Sequence, residues 1–190
     1  DGNGYSQEWR KEAEKRKLPI FDTTSEAVKV YQDKKAVDFL VTQKVLSHAE
    51  IESRFNVQVE RYVKTLLIEL NMLTELSQTH VIPSLEAQLV NSYKVLEGSS
   101  PTLKKVYKVR VDTLEKVLKS LVQGESDLRA CIDKIDTVHD EVKKMDMIQK
   151  LAIPLREKVR EAADEAESLV ADELWALPKY REMLFTHGIS

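Results

Sequence analysis

Residues 103–145 read LKKVYKVRVDTLEKVLKSLVQGESDLRACIDKIDTVHDEVKKM, and the apolar positions of this stretch recur every seven residues. Tyr107, Leu114, Leu121, Leu128, Ile135 and Val142 form one row. Val111, Leu118 and Ile132 follow members of that row by four, and Val117, Cys131, Val138 and Met145 follow by three. This spacing keeps one stripe on one side of a helix and favours packing against other long helices. No proline interrupts it, and Gly124 weakens it by roughly 1 kcal/mol relative to alanine. At about 1.5 Å per residue the helix would be about 65 Å long. Such a helix cannot bury its stripe alone, so the flanking segments must supply partners.

On the N-terminal side, Ser47-His48-Ala49-Glu50 reads as a capping box that opens a second long helix. Ile51, Phe55, Val59, Tyr62, Leu66, Leu70, Leu73 and Leu76 follow at steps of three or four. Pro83 should kink this helix by removing an N–H and crowding the preceding turn. Leu85, Leu89 and Leu96 carry the stripe on to Gly98-Ser99-Ser100-Pro101, a break of the right length to turn one helix back on another. The 103–145 helix then begins at about Thr102, and pairing about this turn predicts Leu85 near Leu114. On the C-terminal side, Met145–Gln149 reads as either a turn or a continuation, with Pro154 just beyond. Leu155, Val159, Ala162, Ala166 and Leu169 give a third stripe.

The expected fold is therefore all-α: an antiparallel up-down-up bundle of three long helices, two of them kinked by proline, with short helices at both ends. Leu121 and Leu128, in mid-bundle, should be almost fully buried. The bundle takes in residues 47–171. Ahead of it, residues 1–46 hold short helices, capped by Ser6, by Thr23 with Glu26, and by Asp33; the last should bury Val37, Phe39 and Leu40. None is long enough to stand alone. Residues 172–190 form a tail in which Pro178 opens a short helix.

Composition agrees. In 190 residues there are five glycines and five prolines, too few turns for a many-stranded sheet. The net charge of −3 gives no general argument for nucleic acid as a partner. No apolar run reaches the roughly 18 residues of a membrane span. Cys131 is the lone cysteine, lies on the apolar seam, and suits a buried thiol in a reducing, cytoplasmic setting. The start, Asp1-Gly2-Asn3-Gly4, with no initiator methionine, reads as a fragment of something longer.

Chemistry is sparse. Lys104, Lys105, Lys108, Arg110, Lys116 and Lys119 make the start of the central helix basic, and Glu157, Glu161, Asp164, Glu165 and Glu167 make the third helix acidic. Solvated faces explain both, with weak attraction across the bundle. Gly2-x-Gly4 ahead of a helix could hold an anion but lacks the rest of a phosphate loop. His80 and His139 fall near apolar stripes, and Asp136-x-x-His139 resembles half of a carboxylate-bridged metal site whose second half is missing. No catalytic, cofactor-binding or metal residue is assigned.

Two local stretches say more. Near the start stands NGYSQEWRKEAEKR, Asn3 to Arg16, and near the end DELWALPKYREMLF, Asp172 to Phe185. Val45-Leu46-Ser47, Glu50, Glu52-Ser53-Arg54-Phe55 and Tyr62-Val63-Lys64-Thr65 keep the same order between them. Together they resemble the C-terminal part of a type III glutamine synthetase, although Ala176 stands where that family leads one to expect proline. The resemblance implies a parent enzyme that joins ammonia to glutamate with ATP and Mg2+, as a homo-oligomer of stacked rings. It implies that residues 1–46 close the catalytic domain and that the helices are its C-terminal extension, serving stability and subunit assembly beside the rest of the enzyme and neighbouring subunits. The metal, nucleotide and glutamate motifs of that family lie upstream of the NGYS stretch. The alternative is a free-standing helical interaction module without enzymatic role.

The tail bears on this choice. Trp175, Leu177, Tyr180, Leu184 and Phe185 put five large apolar side chains within eleven residues. The segment should dock, on its own chain or on a neighbouring subunit. Docking within the chain is the expectation, with Trp9 and Trp175 on one body.

Overall fold

The computed structural model describes residues 3–184, and every regular element among them is helical. In chain order the elements are α1 (Gln7–Lys15), α2 (Thr24–Val28), α3 (Lys34–Thr42), α4 (His48–Leu76), α5 (Ile82–Gly98), α6 (Pro101–Asp136), α7 (Glu141–Met147), α8 (Ile153–Leu169) and α9 (Tyr180–Met183). The chain divides into two compact units, residues 1–63 and 64–190, the division falling within α4.

In the first unit the caps form as the sequence suggests. Ser6 Oγ accepts from Trp9 N at 3.2 Å. Thr23 and Glu26 make a reciprocal capping box, and Asp33 accepts from Lys35 N. Ser47 and Glu50 make the second box, with Ser47 N donating to Glu50 at 2.7 Å and Glu50 N to Ser47 Oγ at 3.2 Å. Two residues beyond the end of α1 and of α3 stands a lysine with positive φ, Lys17 and Lys44. The following residues close the turn, Leu18 N to Ala13 O at 2.9 Å and Val45 N to Leu40 O at 2.8 Å. Glycine is the usual residue there and its absence hid both ends. Ala13, Val28, Val37, Ile51, Phe55 and Val59 are buried. Phe39 is not: it is 61% exposed, because it lies two residues on from Val37, on another side of the helix.

In the second unit α6 packs against both α5 and α8. Leu114, Leu121, Leu128 and Ile135 are each 0% exposed, so the seven-residue row is the core. Gly124 permits close approach: a Cβ there would come within 3.2 Å of Val159 Cγ2 on α8. Tyr93 donates to Glu115, and Arg129 donates to Gln78 at 3.3 Å. Ser99 and Ser100, both extended, separate the ends of α5 and α6. Leu103, Val106 and Val109, in the first turns of α6, are exposed.

One boundary differs from expectation. The central helix stops at Asp136, so it runs 36 residues, about 54 Å. Asp140 is the reason: its side chain accepts from Val142 N at 2.9 Å and Lys143 N at 3.0 Å, opening α7 as a new helix. Val142 and Met145 therefore belong to α7, and Met145–Gln149 is helical. At the prolines, a π-turn stands before each Ile-Pro pair, at Ser77–Val81 and at Ile148–Ala152. Ile82 N donates to Ser77 O, and Ile153 N to Ile148 O, in the wider i to i−5 pattern.

Candidate functional site

Chemistry concentrates where the tail seats on the second unit. Lys179, 7% exposed, sends its ammonium to the end of α8. Nζ donates to Glu167 O at 3.2 Å and Val170 O at 2.9 Å, and pairs with Asp172 Oδ1 at 2.8 Å. All three of its donors are thus used, two of them on carbonyls near the negative end of the helix dipole. Arg181 pairs with Asp172 as well. The hydrogen bonds from Lys179 and then Arg181 hold the Asp172 carboxyl below its usual range.

Further contacts fix the rest of the tail. Tyr180 N donates to Glu167 Oε1 at 3.0 Å, while Arg160 donates to the Tyr180 hydroxyl and stacks its guanidinium 5.9 Å from the ring centre. At the head of the tail, Ala171 N donates to Gln88 Oε1 at 3.0 Å. Gln88 belongs to a buried polar line on α5 with Ser84 and Ser92, and Ser92 Oγ donates back to Gln88 O at 2.9 Å. Trp175, Leu177 and Pro178 close over Leu73, Leu76 and Val81, leaving a cavity of about 160 Å³. The tail therefore docks on its own chain. Tyr180 remains half exposed and Leu184 faces solvent, while Phe185 lies outside the described residues. Trp9 belongs to the first unit and Trp175 to the second.

The other candidates do not assemble. Asp136 ends α6 and His139 lies exposed in the turn beyond it, so the pair does not share a helix face. His80 is half-buried in the first π-turn. Cys131 is half-buried, and burial pushes its thiol up. Among the described residues, no three His, Cys, Asp or Glu side chains gather as metal ligands, and no helix is long and apolar enough to cross a membrane. Ion pairs on α8 run within the helix, Arg156 to Glu157 and Arg160 to Asp164. Arg110 does reach from α6 toward α8, but to the Leu169 carbonyl, at 3.1 Å.

Lys179, Gln88 and Ser77 were invisible to pattern reading, which treats polar residues as surface. The signal for Gln88 and Ser77 is positional. Ser77, Val81, Leu85, Gln88 and Ser92 recur at steps of three or four, so the polar members lie on the face that buries Leu85.

Residues 1–97 match the family model of the glutamine synthetase C-terminal domain. The chain belongs to that family. It is 28% identical over 201 residues to a glutamine synthetase of Bacteroides fragilis (strain YCH46), covering 98% of this chain and 27% of that protein. Against a type-3 glutamine synthetase of Dictyostelium discoideum it is 28% identical, covering 97% of this chain and 26% of that protein. A glutamine synthetase of Butyrivibrio fibrisolvens is 26% identical, covering 98% of this chain and 27% of that protein. The chain thus spans about a quarter of the length of the relatives it matches.

Proposed function

We propose that this chain is the C-terminal helical region of a glutamate–ammonia ligase using ATP and Mg2+, and that it contributes stability and subunit assembly rather than catalytic groups. The observation that carries the reading is the match itself, which takes in nearly the whole chain yet about a quarter of each relative. In this reading residues 1–46 close the catalytic domain, 47–171 form the antiparallel up-down-up bundle, and 172–190 are the docking tail. Opposite numerical order in the α6 contacts supports the bundle: Tyr93 meets Glu115 where Gln78 meets Arg129, and Arg110 meets Leu169 where Gly124 meets Val159.

Exposed apolar side chains support the assembly role. In the first unit Tyr5, Phe21, Phe39 and Val45 are exposed, and in the second Ile68, Val106 and Val109 are exposed. Surface of this kind is usually covered by another part of a protein or by another subunit. A cytoplasmic homo-oligomer would supply both.

The test is made in the full-length enzyme. Removing the region from Lys64 onward should lower the number of subunits in the assembly and its melting temperature. An unchanged subunit number and melting temperature would overturn the assembly role. Removing only residues 173–190 should leave the subunit number intact and lower the melting temperature, because the tail seats on its own chain. Dissociation into stable smaller units would instead make the tail a bridge between subunits.

A further inference from the structure

Two surfaces of the second unit are apolar at the centre, charged at the edge, and opposite in sign. The first is an open groove of about 710 Å³ between α8 and the part of α4 beyond Lys64. Ile68, 68% exposed, and Met72, 47% exposed, stand in it with Leu73 and Leu76. Of the charges around it, Arg156 and Arg160 are already paired along α8, to Glu157 and Asp164. Glu69 and Glu161 are left, and among the described residues no ion pair engages either. The second surface is the start of α6, where Val106 and Val109 are exposed. Lys105, Val109 and Lys116 are four and seven residues apart, which sets them on one side of the helix with Val106 alongside. Lys108 pairs with Asp112, whereas no ion pair engages Lys105 or Lys116 among the described residues.

Within one copy the two surfaces stand apart. Gly124 of α6 lies against Val159 of α8, and Arg129 of α6 donates to Gln78 just past the end of α4. The groove is therefore level with the middle and later turns of α6. From Val109 to Gly124 alone is about 22 Å along the helix. Exposed apolar surface rimmed by charge is the form of a docking face, and opposite charges across an interface fix its register. We propose that the start of α6 of one copy docks in the α4–α8 groove of the next. Val106 and Val109 meet Ile68 and Met72, and Lys105 and Lys116 come beside Glu69 and Glu161. The proposal rests on the assembly role and names its contact. Because each copy offers one face and receives on the other, the contact is head-to-tail, and it closes into a ring where the rotation allows.

A cross-link between copies of the full-length enzyme tests it. With Met72→Cys and Val109→Cys in one chain, a short bismaleimide should join copies into a ladder on a denaturing gel. Either substitution alone should add nothing to the pattern of the unsubstituted enzyme. Adding Lys105→Glu and Lys116→Glu should slow the joining about tenfold or more, and adding Glu69→Lys and Glu161→Lys to that chain should restore it. No new cross-link, or one whose rate ignores the charges, would overturn the proposal. The deletion from Lys64 onward separates this failure from that of the assembly role. Subunits lost on deletion, with no cross-link in the cysteine pair, would leave the assembly role standing and put the contact on another face.

Discussion

The two Ile-Pro corners of the second unit make a natural pair. Ile82-Pro83 and Ile153-Pro154 each follow a five-residue π-turn, each places proline in the first turn of the next helix, and each touches α6. The same local difficulty has met the same answer. Proline removes one N–H and crowds the carbonyl four residues back, and widening the turn relieves both without ending the helix. Their settings differ. The second corner begins with Ile148 and ends with Ala152, both fully buried and wholly apolar. The first begins with Ser77 and carries the seat of the tail. One corner serves the core, and the other joins the core to the C-terminal segment.

Exchanging the opening residues gives the largest expected effect. Ile148→Ser would leave a cavity and bury a hydroxyl, costing roughly 3–5 kcal/mol in a chemical melt. Ser77→Ala deletes only a hydroxyl at the equivalent point and should cost about 1 kcal/mol. Equal losses at the two positions would erase the distinction between the corners.

Lys179→Met comes next. Its ammonium is buried and makes three charge-assisted contacts, so the loss should be roughly 1.5–3 kcal/mol, confined to docking of the tail. Trp175 emission should shift to the red while hydrogen exchange in the middle of α6 stays slow. If the centre of α6 exchanged faster as well, the tail would be part of the bundle's cooperative unit.

Pro83→Ala and Pro154→Ala should matter less, each changing stability by about 1 kcal/mol or less and in the same direction, because the π-turns already accommodate the missing N–H. Opposite signs, measured in urea, would show that the two turns have different causes.

The corners also mark what could be read from residues alone. The row from Leu114 to Ile135 was legible because burial and a seven-residue repeat impose the same pattern. The positions of the proline disturbances were legible too, but their form was not: an i to i−5 bond has no composition of its own. The end of α6 was masked because Val138 and Val142 continue the apolar period through the turn, while the decisive residue, Asp140, is polar. Gln88 was hidden for a related reason: its partner Ala171 lies 83 residues on, outside any window of sequence around it. Lys179 finds its partners within twelve residues, at Glu167, Val170 and Asp172, but a lysine reads as surface.

The smallest effect should come from acid at the seat of the tail. Asp172 accepts from Lys179 and Arg181, and these bonds hold its pKa below that of an unstructured aspartate. A carboxyl whose pKa is lower in the docked state stabilises docking fully above its unstructured pKa. That contribution falls away as pH drops through the lowered value. Because Asp172 is exposed, the change should be a modest loosening of the tail rather than unfolding. Trp175 emission followed from neutral pH downward should redden only below the ordinary carboxylate range. In Asp172→Asn the same step should be missing, with emission slightly red throughout. An identical acid step in the variant would mean that Asp172 does not govern the tail.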